Sequence, residues 1–275
     1  MECQTTKAKV YYETIGEGLP ILMIHGFNPD HHLMKGCMEP IFKKKSGYRR
    51  IYIDLPGMGK TRDCENVNSS NDVLDVLLEF IHTVIPEGPF LIAGESYGGY
   101  LTRGIISKMK DRILGAVFIC PMIIPSMDER DLPSHTIIYE DRAFLQSLKQ
   151  RQQDIFRTSS VVLDEYNWNR LKAEILDGCS LADKAVLKRL KSQYAFSFQV
   201  DEAVGSFDKP TLFLLGRQDA TVGYKDALGI EERYTRATTV VLDRAGHNLQ
   251  IEQSILFESL VEEWIKRVEE DINHI

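Results

Sequence analysis

Residues 90–100 read FLIAGESYGGY, and this stretch decides the fold. An apolar run stops at Gly94, and apolar residues recur at helical spacing from Leu101 onwards. The pattern predicts a strand, a sharp turn with Ser96 at its apex, and a helix. Gly94, Ser96 and Gly98 match G-x-S-x-G, in which glycines flank a turn too tight for side chains. The serine hydroxyl is therefore expected to stand clear of the sheet, beside a helix N-terminus.

Further strands and helices alternate on both sides of this stretch, as in layered α/β proteins. Most of the strand segments are continuous apolar runs, which are typical of strands buried on both faces of a parallel sheet. The strands are predicted at residues 9–14, 20–24, 50–54, 114–120, 210–216 and 238–242. Amphipathic helices are predicted from Ser70 to Val84 and over residues 256–268.

Residues 122–199 differ from the flanking segments, because they are charged, have a helical pattern and contain no apolar run typical of a buried strand. Strands return after this segment, which is therefore predicted to be a helical cap inserted into a single sheet domain. The predicted fold class is α/β, with a mostly parallel sheet flanked by helices. The core is assigned to residues 1–121 and 200–275, and the cap to residues 122–199.

The composition argues against several classes of partner and site. The 275-residue chain has a formal net charge of −7 and so lacks the basic surplus that nucleic-acid binding requires. No apolar run has the length of a membrane span, and the N-terminus lacks a secretory signal pattern. Five dispersed cysteines indicate reduced thiols. We therefore expect a cytoplasmic monomer or homodimer that binds a small-molecule substrate, without nucleic-acid or membrane partners.

No metal site and no cofactor are predicted. The ligand spacings of zinc sites are absent from the sequence. His31 and His32 are adjacent, but neighbouring side chains point in different directions and no third ligand stands at a recognisable spacing. These two histidines are predicted to lie in a solvated loop.

A serine hydroxyl is a weak nucleophile, so Ser96 needs a neighbouring base and a carboxylate that orients this base. Asp219 and His247 each follow a predicted buried strand, and ligands of open α/β sheets bind beyond the carboxyl ends of the strands. Alone, a strand-end aspartate is more often a helix cap, and a lone histidine is more often structural. Together, in the chain order Ser96, Asp219, His247, they predict a catalytic triad.

Two backbone amides are candidates for binding an oxyanion. One belongs to Tyr97, directly after Ser96, and the other to Phe27, in the loop after the strand 20–24. His25 is expected to hold that loop by hydrogen bonding. The side chains considered as substrate-facing candidates are those of Phe27, Tyr97, Met122 and Trp168.

These motifs resemble the α/β-hydrolase superfamily, in its cap-bearing branch with a serine nucleophile. The matching segments are residues 25–27, 54–59, 94–99, 216–219 and 245–247. The resemblance covers the core on both sides of the cap and is specific for fold and triad, but not for substrate. Two departures stand out: Asn28 precedes Pro29 where the family often has proline, and the serine sets the chain apart from relatives that use aspartate as nucleophile.

The resemblance implies a serine hydrolase that acts through an acyl-enzyme. A cap rich in methionine, isoleucine and aromatic residues favours a small or medium, partly apolar carboxylic ester. The same triad also serves amide or peptide substrates, as in prolyl aminopeptidases, and lactone and carbon–carbon hydrolysis, and some proteins of this fold sense ligands without turnover. Because the base must be neutral, activity is expected to fall below about pH 6–7.

Overall fold

The computed structural model describes residues 1–273 and is built around an eight-stranded sheet. Its strands are β1 (Glu2–Gln4), β2 (Lys9–Ile15), β3 (Leu19–Ile24), β4 (Tyr48–Ile53), β5 (Phe90–Glu95), β6 (Ile113–Ile119), β9 (Thr211–Gly216) and β10 (Ala237–Leu242). Two short strands, β7 (Tyr139–Glu140) and β8 (Val162–Leu163), pair separately in parallel. All seven predicted strands, including the one that begins at Phe90, are therefore found within about two residues of their expected ends.

The strand order across the main sheet is β1-β2-β4-β3-β5-β6-β9-β10. Only β1–β2 and β2–β4 pair antiparallel, and the pairs from β4 through β10 are parallel. A mostly parallel sheet brings the carboxyl ends of β5, β9 and β10 to one edge. The turns that carry Ser96, Asp219 and His247 all begin at that edge.

Helices flank the sheet, which confirms the predicted fold class. They are α1 (His32–Phe42), α2 (Ser70–Val84), α3 (Tyr97–Met109), α4 (Arg142–Ser147), α5 (Gln150–Ser159), α6 (Glu165–Leu171), α7 (Asp177–Cys179), α8 (Lys184–Ser192), α9 (Val200–Val204), α10 (Lys225–Leu228), α11 (Leu249–Glu252) and α12 (Ser254–Asn273). Short 3₁₀ turns lie at Lys110–Arg112, Met127–Glu129 and Glu231–Arg233, and a π-helical turn lies at Lys172–Leu176. Within residues 1–273, no helix combines the length and apolar character needed to cross a bilayer.

The segment 122–199 contains helices α4 to α8, and a small apolar cluster around Phe156 forms its own centre. Arg103 of α3 attaches the start of this segment to the core. Its buried guanidinium donates to the carbonyls of Met122 and Ile123 at 3.1 and 3.2 Å and pairs with both carboxylate oxygens of Asp201 at 2.9 and 2.6 Å. The division into core and cap at residues 121/122 and 199/200 stays a prediction.

Candidate active site

Ser96 occupies the turn between β5 and α3 in a strained backbone conformation. Its φ of 52° and ψ of −115° lie in a region that side chains normally avoid. The chain passes so close to β3 that a Cβ at Gly98 would lie 2.2 Å from the carbonyl oxygen of Ile24. The tight turn at the end of an apolar strand therefore forms as the sequence predicts, and Ser96 opens onto a cavity at the carboxyl edge of the sheet.

His247 lies between Ser96 and Asp219. Its Nε2 is 3.0 Å from the Ser96 hydroxyl, and its Nδ1 is 2.9 Å from Oδ2 of Asp219. The other carboxylate oxygen of Asp219 accepts the amides of Thr221 and Val222 at 2.8 and 3.0 Å, so the fully buried side chain is fixed in place. The structure thus brings the three residues, far apart in the sequence, into the arrangement of nucleophile, base and orienting acid.

A second carboxylate, that of Glu95, faces the same imidazole. Its Oε1 lies 3.5 Å from Nε2 of His247, and the residue is only 2% exposed. Burial raises the pKa of Glu95 to about 7, although the His247 charge and the Gly26 amide oppose this. Burial alone would lower the pKa of His247, but the charge and hydrogen bond of Asp219, followed by the charge of Glu95, raise it to about 9. The imidazole is thus flanked by acids at both nitrogens.

Glu95 was not singled out in the sequence, where it occupies the first variable position of G-x-S-x-G. A charged residue at the end of a continuous apolar strand is the signal that could have found it. Gly26 packs closely against Glu95, because a Cβ at Gly26 would lie 2.2 Å from Oε2 of Glu95.

Gln218 is a second residue of the site that the sequence pattern did not indicate. Its side-chain oxygen accepts the Ala245 amide at 3.1 Å, which joins the turn of Asp219 to the loop of His247.

The loop after β3 carries Phe27 beside Ser96. His25 holds this loop as expected, since its Nε2 accepts the Leu55 amide at 3.0 Å and its Nδ1 lies 2.7 Å from the Gly26 carbonyl. Within the described chain, the amides of Phe27 and Tyr97 donate to no protein acceptor. The departure at Asn28 is visible in the backbone, which has a φ of 91° there. Two unpaired amides beside the serine are available to an oxyanion.

The cavity above Ser96 has a volume of about 420 Å³. Its apolar wall includes Phe27, Met122, Leu171, Ile175, Leu176 and Val222. Polar groups reach it from Glu95, Arg130, Lys191 and Asn248. A further cavity of about 510 Å³ lies between residues 57–65 and α8, and its lining includes no member of the triad. The predicted candidates Phe27 and Met122 therefore border the space in which a substrate would bind.

The side chains of Tyr97 and Trp168 do not line this cavity, which corrects the prediction for both. Tyr97 is fully buried beneath the site, where its hydroxyl lies 2.8 Å from that of Ser70 and its ring stacks on Tyr194 at 4.8 Å. Trp168 is 6% exposed and packs at 5.3 Å against Phe156 in the centre of the cap segment. Both aromatic rings serve packing, Tyr97 in the main core and Trp168 in the small apolar cluster around Phe156.

His31 is buried and His32 is the first residue of α1, so the prediction of a solvated loop is wrong for both, although the side chain of His32 is exposed. Its Nδ1 lies 2.8 Å from the buried carboxylate of Asp54, and its Nε2 lies 3.2 Å from Glu13. Burial lowers the pKa of His31, but the hydrogen bond and charge of Asp54 outweigh it, and the net pKa is raised.

Potential metal ligands lie close together at Asp30, His31 and His32 and at Cys120, Asp219 and His247. In both groups a histidine nitrogen already contacts an aspartate.

Comparison with known proteins agrees with this fold. The family model for the alpha/beta hydrolase fold matches residues 20–254. The chain is 24% identical over 259 residues to a pimeloyl-(acyl-carrier protein) methyl ester esterase of Legionella pneumophila (strain Corby), covering 94% of this chain and 99% of that protein. It is 22% identical to a 2-hydroxy-6-oxo-2,4-heptadienoate hydrolase of Pseudomonas putida, over 91% and 90% of the two chains.

Among solved structures, an alpha/beta superfamily hydrolase from Oenococcus oeni PSU-1 superimposes with a TM-score of 0.88. The two chains are 29% identical, and the match covers 98% of this chain and 99% of the other. Since the family model spans most of the chain, including the segments that carry Ser96 and Asp219, the chain belongs to the alpha/beta hydrolase fold family.

Proposed function

We propose that this protein is a serine esterase that hydrolyses a small or medium, partly apolar carboxylic ester. The observation that carries the proposal is the contact of Ser96, His247 and Asp219 at 3.0 and 2.9 Å beside a partly apolar cavity. The Legionella relative is named for cleavage of a methyl ester, which supports an ester as the bond that is broken. The five cysteines are all unpaired in the described chain, which supports the proposed cytoplasmic location.

The reaction would proceed in two steps. Nε2 of His247 accepts the proton of Ser96 as the serine oxygen attacks the ester carbonyl carbon. The amides of Phe27 and Tyr97 donate to the oxyanion, and Asp219 stabilises the imidazolium. The carbon–oxygen bond to the alcohol then breaks, and His247 returns the proton to the departing alcohol. Water repeats the sequence on the acyl-enzyme, so that the acid leaves and Ser96 is regenerated.

A fluorophosphonate probe tests the nucleophile directly. We expect one covalent adduct per chain, located on Ser96 by peptide mapping, and no adduct in Ser96→Ala. Ser147→Ala, at the exposed end of α4, serves as the matched control and should label like the wild type. An adduct elsewhere, or none in protein that turns over substrate, would contradict the assignment.

The acyl group is tested with p-nitrophenyl esters of increasing chain length. A cavity of about 420 Å³ should favour short and medium acyl chains over long ones. The panel should also contain a proline amide, a lactone and a vinylogous diketone, because the same triad serves all these chemistries. Turnover of the amide, lactone or diketone with none of the esters would reject the ester proposal, while stoichiometric retention of a ligand without turnover would favour a sensor.

A further inference from the structure

The loop that carries His247, residues 243–248, is tied to the cap segment on both sides of the histidine. On one side, the Gly246 amide donates to Oε2 of Glu252 at 2.6 Å, and Oε1 of the same carboxylate accepts the Val161 amide at 2.7 Å. On the other side, the Asn248 side-chain amide donates to the Ser159 carbonyl at 2.7 Å. The cap residues 159–161, which link α5 to β8, therefore hold both neighbours of His247.

The carboxylate of Glu252 is the centre of this connection. Both of its oxygens accept backbone amides, and no lysine, arginine or histidine within residues 1–273 forms an ion pair with it. Burial raises its pKa to about 7, opposed by the amides of Val161, Gly246 and Val162, while the nearby charge of Asp219 adds to the rise. An anion that is shielded from much of the solvent and has no cationic partner is costly, so the position of this half-buried carboxylate between two amides suggests a function.

The histidine loop and cap residues 159–161 are closely packed against each other. A Cβ at Gly246 would lie 3.0 Å from a methyl group of Val161, so the histidine loop and the cap link touch. Ser159, the first residue of the link, and Thr158, which precedes it, also line the cavity above Ser96. A displacement of the cap link would therefore break the contact to Gly246, one residue before the imidazole.

We propose that Glu252 is a positioning residue, which holds His247 within reach of Ser96 only while cap residues 159–161 keep their contacts with Glu252 and Asn248. The proposal rests on the proposed function, because it takes His247 to be the base. One carboxylate accepts both amides at once. A carboxamide offers one oxygen acceptor and would turn its amino group towards the second amide. Glu252→Gln therefore cannot satisfy both sides of the bridge.

The first test is kinetic and counts active sites. In Glu252→Gln, kcat for a p-nitrophenyl ester, divided by the concentration of fluorophosphonate-titrated Ser96, should fall at least about tenfold because a small displacement of the base is costly. KM should change by less than about threefold, since the substrate walls are intact. Glu270→Gln, an exposed change on α12, is the matched control and should retain wild-type values. A Glu252→Gln enzyme within about twofold of wild-type kcat, with only a lower Tm, would overturn the proposal.

The second test probes the other side of the loop. Asn248→Ala removes the bond to Ser159 and should lower kcat per titrated site by about three- to tenfold. If both bonds act through the same cap link, the loss in the double variant should be smaller than the product of the two single losses. Independent, multiplicative losses would contradict a shared link.

A third measurement does not depend on turnover. Amide hydrogen exchange at Gly246 and Val161 should accelerate together in Glu252→Gln, because one carboxylate protects both. Acceleration at one amide alone would overturn the bridge. Absence of Ser96 labelling in the wild type would instead count against the proposed esterase, and the exchange result would still decide whether Glu252 couples the loop to the cap.

Discussion

Replacing Glu95 by glutamine should shift the pH dependence of catalysis towards lower pH. Its carboxylate lies 3.5 Å from Nε2 of His247 and, after Asp219, helps to raise the pKa of the imidazole to about 9. At an effective dielectric constant of about 20, two unit charges at this distance interact by about 5 kcal/mol. Burial raises the pKa of Glu95 to about 7, so this acid is partly neutral around that pH. The average interaction between Glu95 and His247 is therefore weaker than the value for two full charges. We expect a change of about one pKa unit, or about 1.4 kcal/mol.

The assay is kcat/KM for a neutral p-nitrophenyl ester between about pH 5 and pH 10. The base must be neutral, so activity rises as pH rises through the pKa of His247. The acid limb of Glu95→Gln should therefore lie about one pH unit below that of the wild type. The alkaline plateau should fall by up to about tenfold, because the imidazolium formed in the transition state loses the same carboxylate. Glu87→Gln, an exposed change of equal charge, should leave the curve unmoved.

An acid limb that stays in place in Glu95→Gln, or moves upward, would refute this reasoning. It would mean that Glu95 is neutral throughout the limb, and that Asp219 alone sets the basicity of His247. The charges of Glu95 and the imidazole each shift the pKa of the other, so the limb should be fitted as a property of this pair rather than of one residue.

Two further variants test the site and its support. Asp219→Asn should lower kcat by about 10⁴-fold, because the amide cannot hold His247 in the required tautomer. Ester turnover and Tm are measured together on this variant, and a loss of kcat below about tenfold would contradict the triad. Arg103→Met should lower the free energy of unfolding by about 3 kcal/mol in urea denaturation. The substitution leaves the carboxylate of Asp201 without its cationic partner and removes the hydrogen bonds to the carbonyls of Met122 and Ile123. A change below about 0.5 kcal/mol would show that this partly buried pair contributes little.

The sheet was predictable because most of its parallel strands are buried on both faces and consist largely of apolar residues. Helix α1 was not predicted, since Gly36 and Pro40 interrupt its pattern. The structure explains that glycine, because a Cβ at Gly36 would lie 2.3 Å from the carboxyl carbon of Glu174 in the π-helical turn of the cap. The two-residue strands β7 and β8 are too short to leave a periodic signal.

The positions of the triad could be predicted because they depend on strand ends, whereas their chemical environment depends on contacts between distant segments. The expectation that activity falls below about pH 6–7 used the pKa of a free imidazole. The structure moves the pKa of His247 to about 9 because acids face both ring nitrogens. Similarly, Trp168 was a plausible substrate contact by composition, but its partner Phe156 places it in the interior of the cap segment.

The surroundings of His247 point to a common design. Asp219 fixes Nδ1, Glu95 approaches Nε2, and Glu252 holds the adjacent backbone through Gly246. Burial raises the pKa values of both glutamates to about 7, so each is held close to the point at which it loses its charge. Glu95 acts on the charge of the imidazole and Glu252 on its position. Asp219 affects both the basicity and the placement of the base, whereas Glu95 and Glu252 allow the pH limb and kcat per titrated site to be altered separately.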